Sequence, residues 1–413
     1  MSFQQGLSGL NAASKQLEVI GNNVSNANTV GFKQSRAEFA DVFANSLTGG
    51  GASQIGIGTN LANVAQQFTQ GNVTSTSNPL DIAINGGGFF RMSNNGAITY
   101  TRNGQFQMDK SGYIVNAENQ RLTGYTANTA GVLATGAPAE LNINTADLKP
   151  SATAKVVGLV NLDSRNSTLT AANFNPADPT TYNNSTAVTA FDSLGNSHTI
   201  QSYFVKTAPG VWSVFTSADG VSTPATVPPA ATAVMTFTGT GIAPTIVPTP
   251  PSTTPSVTFT PTTGASAVSM TLDYSGSTQF GSNFSINSLS QDGYTSGSLS
   301  SFNTSADGTI VGSYSNGQSK TLGQVILANF VNPNGLQSLG GNAWSESSTS
   351  GAPLIGTPKT GRLGVLQSSA TEDSNVDLTA ELVNMITAQR DYQANAQTIK
   401  TQDQVLQTLV NLR

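Results

Sequence analysis

Apolar residues at both ends of the chain recur in steps of four and three, the a/d rhythm of helices that pair along a seam. Near the N-terminus these steps fall on Phe3, Leu7, Leu10, Ser14, Leu17, Gly21 and Val24, so five of seven are apolar. From Leu378 they run through Leu382, Met385, Gln389, Tyr392, Ala396, Ile399, Asp403, Leu406 and Val410 to Arg413, with eight of eleven apolar. No glycine or proline follows Gly364 to interrupt the second helix. Two such helices bury their stripes on each other only if the termini come together, so the rest of the chain must go out and come back.

Local signals place the helix ends. Ser2 and Gln5 have the spacing of a capping box, and the Asn-rich stretch Asn22 to Asn28 should end the first helix. Ser374 and Asp377 provide a second cap, with Glu372, Asp373 and Asp377 suited to the positive end of the helix dipole. Val383, Ile386, Val405, Leu409 and Leu412 fall opposite the main stripe. A helix apolar on two faces is buried on two faces. One face is expected to meet the N-terminal helix, with Leu406 on that seam, and the other to meet neighbouring subunits. An internal helix of a large all-α core is the competing reading, and the β-like sequence beside it argues against that.

Between the ends the texture is β. Asn94-Asn95-Gly96, Asn103-Gly104 and Ser111-Gly112 punctuate alternating runs at hairpin spacing. The same texture returns at Asp307-Gly308 and Asn316-Gly317. Like segments on either side of an insert predict one β-domain built from two chain pieces. Within the insert, half of the eighteen prolines lie between Pro224 and Pro261, and residues 220 to 272 carry no charge. Proline confines strands to edges and bulges, so a loop-rich barrel or sandwich is expected there, with disordered linker as the alternative.

The fold class is therefore mainly β with terminal α-helices, as nested β-domains on a two-helix coiled-coil stem. Residues 1–27 and 372–413 are expected to form the stem, and 28–71 with 361–371 a connecting segment. Residues 72–150 with 285–360 are expected to form an inner β-domain, and 151–284 an inserted outer one.

Candidate chemistry fails residue by residue. Without cysteine there is no disulfide, thiolate ligand or thiol nucleophile, and one histidine, His198, makes no paired-imidazole site. His198 alternates within a strand-like segment and reads as a surface residue. Gly312 to Ser319 has phosphate-loop glycine spacing but Gln318 where lysine belongs, so a type I′ hairpin is expected instead. Gly86-Gly87-Gly88 reads as a turn, and Asp109 and Asp307 lack the acid density of a calcium loop. No enzyme activity, cofactor or metal is expected. A net charge of −5 without a basic cluster argues against nucleic acid, and no apolar run is long enough to span a membrane. The first residues lack the basic and apolar regions of a signal peptide.

Several stretches resemble a known family. Gly21-Asn-Asn-Val-Ser-Asn-Ala-Asn-Thr-Val-Gly-Phe-Lys33 is similar to the signature segment of flagellar rod and hook axial proteins, with Asn22, Asn23, Asn26, Gly31, Phe32 and Lys33 on the motif. The tail from Ser374 through Leu382-Val-Asn-Met385, Tyr392 and Asp403 resembles the same family, as do Gln70-Gly71, Pro79 to Ile84, Gly88-Phe89-Phe90 and Tyr100 to Gly104. The insert makes the chain similar to the hook branch; a distal rod subunit with an enlarged outer domain is the runner-up, and a secreted adhesin the rival of another class. The resemblance implies a structural subunit of a curved, torque-transmitting tube. It also implies self-polymerisation through Phe3, Leu7, Leu10, Leu17, Val24, Leu382, Val383, Met385, Ile386, Tyr392, Ile399, Leu406, Leu409 and Val410. The implied partners are the distal rod, the hook cap, the hook–filament junction proteins and the type III export gate, outside the cell. Phe39 to Phe43 fits the family's export-gate pattern, with core packing as the other reading.

Overall fold

The computed structural model describes residues 2–42, 56–226, 229–249 and 254–411. Phe43, Leu412 and most of the glycine-rich stretch from Gly49 to Gly58 lie outside these, as does the side chain of Leu409.

Helix α1 spans Ser2–Ser25 and helix α2 spans Leu378–Asn411. At 1.5 Å per residue they are about 36 and about 51 Å long. They run antiparallel, with Gly6 against Ile399 at one end and Asn23 bonded to Glu381 at the other. Asp377 caps α2, its Oδ1 accepting from the N–H groups of Thr379 (2.9 Å) and Ala380 (3.1 Å). The helix begins at Leu378, where the rhythm placed it, whereas Glu372, expected in the stem, belongs to a strand, Ala370–Glu372. Gln5 does not complete a capping box; its Nε2 donates to the Gly56 carbonyl at 2.7 Å.

Strands β1 (Ser35–Val42) and β2 (Gly58–Gln66) form an antiparallel hairpin beside α1. Ser8 Oγ accepts from Thr59 N at 3.3 Å, and a Cβ on Gly58 would meet that same hydroxyl. The chain then enters a sheet holding Phe89–Asn94, Ala97–Thr101 and Arg121–Thr126 together with Thr309–Tyr314, Ser319–Val325 and Ala343–Ser345. Ser319–Val325 pairs with Arg121–Thr126, which joins strands from either side of the insert. Its aromatic core sets Phe89 and Trp344 with ring centres 5.7 Å apart, and Tyr100 against Phe330 at 4.8 Å. Asn95 (φ 51°) and Gly96 (φ 94°) make the expected two-residue turn. At Asn316-Gly317 only Gly317 has a positive φ, 77°, and Gly317 N donates to Tyr314 O at 3.0 Å. Tyr314 N also donates to Gln318 O at 2.9 Å, so this is a three-residue loop, 315–317, and not the type I′ turn expected.

The described chain divides into two compact units. One takes residues 2–145, 301–313 and 319–411, and the other takes 146–300 and 314–318. The second unit has a six-stranded sheet including Asn184–Phe191, Ser197–Ala208 and Val211–Ala218, and a five-stranded sheet around Lys155–Asp163. Both sheets feed one core, in which Val160 and Leu162 meet Phe204, Trp212 and Met235. Ser285–Gln291 pairs along Lys155–Asp163, so residues 285–300, expected in the inner domain, belong to this unit. Their alternation alone could not say which strand they would join.

His198 is also inside this unit and not on its surface, at 7% exposure. Its Nδ1 lies 2.6 Å from Asp219 Oδ2 and its Nε2 3.3 Å from Asp192 Oδ2. Burial works against the imidazolium, but the bonds to Asp219 and Asp192 outweigh it and raise the His198 pKa. Asp192 is buried too, yet bonds from Asn196, His198 and Leu194 hold its carboxyl below the usual range.

Candidate functional site

The stem seam is built on small residues. The most buried residues of α1 are Gly6, Ala13, Ile20 and Asn23, and those of α2 are Glu381 and Ala388. A Cβ on Gly6 would stand 3.1 Å from Ile399 Cγ1, and one on Gly9 would stand 2.6 Å from Asn395 Oδ1. The glycines thus let the two backbones close in, and the seam is rotated from the leucine stripe toward this small-residue line. Leu10, Leu17, Val24, Met385 and Ile399 flank it, half-buried.

That rotation leaves large apolar residues outside. Phe3 (46%) and Leu7 (44%), one turn apart on α1, are exposed, contrary to their expected place on the seam. On α2, Leu382 (44%), Val383 (58%) and Ile386 (51%) lie within an arc of about 100° pointing away from α1. Leu406 is 55% exposed and does not reach α1. It lies seven residues, about 10 Å, beyond Ile399, which already faces Gly6 near the start of α1. Val405 and Val410 share this overhang, and Tyr392 is partly exposed beside the seam. The apolar Phe39–Leu61 cross-strand pair of the hairpin is exposed as well, so Phe39 is no core residue. A groove of about 560 Å³ at the stem base is lined by Ile20, Asn23, Ala37, Phe39, Glu381 and Asn384.

The signature segment forms the junction between stem and β-sheet. Asn23 brackets the first residue of β1, with Nδ2 donating to Ser35 O (2.8 Å) and Oδ1 accepting from Ser35 N (2.9 Å). Asn26 accepts from Thr29 Oγ1 at 3.2 Å in the turn after α1, while Asn22 is exposed and offers its carbonyl to Asn26 Nδ2. Gly31 has φ +72°, and a Cβ there would sit 2.5 Å from Asn103 N, so only glycine permits this approach. Phe32 is half-buried.

Lys33 is fully buried. Its Nζ donates to Glu372 Oε1 at 2.6 Å and to Thr69 O at 2.8 Å. Glu372 Oε1 also accepts from Gly71 N, and Oε2 from Arg102 Nη1 at 3.0 Å. Arg102 Nη2 donates to Gly86 O at 2.8 Å, and its guanidinium lies 5.4 Å from the Phe89 ring centre. Burial lowers the pKa of both cations, while Glu372 pulls each the other way. Sequence reasoning missed Glu372 and Arg102 as a pair, since 270 residues separate them. The nearby signal was the lysine of the family motif, a cation after an apolar pair.

Comparison with known proteins matches this chain to four flagellar domain families. Residues 3–33 match "Flagella basal body rod protein" and residues 83–158 "Flagellar hook protein FlgE/F/G D1 domain". Residues 161–294 match "Flagellar basal body protein FlaE D2 domain", and 367–412 "Flagellar basal body rod FlgEFG protein C-terminal". The flagellar hook protein FlgE of Salmonella typhimurium is 43% identical, covering all of both chains. That of Borreliella burgdorferi is 32% identical over all of this chain and 99% of its own. The crystal structure of Helicobacter pylori flagellar hook protein FlgE2 shares the fold at a TM-score of 0.54 and 14% identity, covering 72% of this chain and all of that one.

Proposed function

Because the chain belongs to the family of flagellar hook proteins and is a structural subunit of the bacterial flagellar hook, we propose that its paired terminal helices build the inner tube of that hook. The observation that carries this reading is the apolar surface of α2. Among the described residues, eight large apolar side chains from Leu378 to Val410 are each at least 38% exposed on this one helix. A monomer gains nothing from holding them in water, whereas a tube of stems buries them. Phe3, Leu7, Leu382, Val383, Ile386, Val405, Leu406 and Val410 are the proposed packing residues between subunits. The two β-units then form layers around the tube, and torque passes along the stems while the outer layers shift as the tube bends. Charged residues are 9% of the chain, so few ion pairs are available to lock those layers in one register.

We propose a finer setting as well, which membership of the family supports. The subunits add beneath a cap on the distal rod, end at the hook–filament junction proteins, and stand outside the cell after passage through the type III export gate. Phe39, exposed on β1, is available to that gate. Electron microscopy of particles assembled from this chain tests the assignment: a curved tube is expected, and a straight rod or no polymer refutes it.

A further inference from the structure

Among the described residues the chain passes between stem and β-sheet twice, once after β2 and once before α2. These two passages form a short ribbon in which Val73, Thr74 and Ser75 pair with Glu372, Thr371 and Ala370. A two-stranded ribbon is a weak beam that bends and twists easily. Left to itself it would be a hinge.

Glu372 sits on that ribbon, with Lys33 from the stem side on one carboxylate oxygen and Arg102 from the sheet on the other. The three side chains are 0%, 0% and 4% exposed. Backbone contacts reinforce the same line: Gly31 N donates to Glu372 O at 2.8 Å, and Asn342 Nδ2 donates to Val30 O at 2.9 Å. On the stem side, Asn375 Oδ1 accepts from Gln34 N at 2.7 Å, and Asn375 Nδ2 donates to Gln67 O at 2.8 Å.

We infer that Glu372 is the positioning residue of the hook subunit: with Lys33 and Arg102 it forms a buried strut that fixes the angle of the stem on its β-sheet and so sets the curvature of the tube. Three buried charges are a poor way to gain stability, since apolar residues of like volume often serve as well or better. What a charged cluster with directed bonds supplies is a defined geometry. A subunit with a stiff joint transmits torque without winding up internally, and each stem meets its neighbours at one fixed angle.

This inference rests on the hook assignment, and wild-type tubes are the control that separates the two. Hooks from cells producing Glu372→Gln would be isolated and their curvature measured, alongside the thermal melting of the secreted chain. Glu372→Gln keeps the shape of the side chain but removes the charge facing two cations. Hooks are expected that have lost the uniform wild-type curvature. Wild-type curvature in this variant overturns the inference. If Glu372→Gln yields no hooks, the apolar replacement Lys33→Met/Arg102→Met/Glu372→Leu decides, because it restores burial without directed bonds. Irregular curvature from this triple variant supports the strut; wild-type curvature means packing suffices and overturns it. Absence of hooks from both variants overturns it too, since the cluster would then control assembly and not the angle.

Discussion

Ile386 offers the sharpest test of how the stems assemble. It is 51% exposed on the face of α2 turned away from α1, beside Leu382 and Val383. Fully burying an isoleucine stabilises by roughly 1.5–3 kcal/mol, so covering the exposed half is worth about 1 kcal/mol per subunit. Ile386→Ala should therefore raise the critical concentration for polymerisation about 5-fold, at 1.4 kcal/mol per factor of ten. Ile386→Asp puts a carboxylate into that contact; Arg390, one turn on, offsets only a few tenths of a kcal/mol of its burial cost, and a total of ~3 kcal/mol raises the critical concentration on the order of 100-fold. The folded β-units should melt as in the wild type, because a half-exposed surface position away from the seam changes stability by about 0.5 kcal/mol or less. Sedimentation of the purified chain over a concentration series, with calorimetry on the same samples, measures both. A critical concentration for Ile386→Asp within about twofold of wild type would show that this face is not a subunit contact.

Two further outcomes are expected. His198 is the sole histidine, so its ring proton resonance is unambiguous in a pH titration; its pKa should lie above 6.5. Because the folded pKa is raised, the stabilisation from the Asp219–His198–Asp192 bridge is full below the unfolded value and fades as pH rises through the folded one; His198→Gln should remove that pH dependence from the melting of the chain. Asp377→Ala removes the acceptor for the Thr379 and Ala380 amides, and should cost α2 about 1 kcal/mol, read as faster amide exchange in its first turn; unchanged exchange would mean the cap is replaced by water without loss.

What the sequence determined by itself was local. The four-three rhythm specified a helix at each end, the Asn-rich stretch stopped α1 at Ser25, and Asp377 started α2. Asn95-Gly96 specified a turn because both positions must take positive φ. The lack of cysteine and of a second histidine excluded whole classes of chemistry before any fold was considered. Each of these depends on neighbours within a few residues.

Only the tertiary structure decided which face of each helix pairs. A hydrophobic stripe says that a face is buried, not against what; the approach of the helices is set by Gly6, Gly9, Ala13 and Ala388, whose small size carries no hydropathy signal. The roles of the charged residues were decided the same way. Glu372 looked like an acid at a helix start and proved to be a strand residue holding Lys33 and Arg102, and His198 was drawn inside by Asp192 and Asp219. A buried charge is tolerable only beside its partner, and that partner is chosen by the path of the chain through space, which no local pattern records.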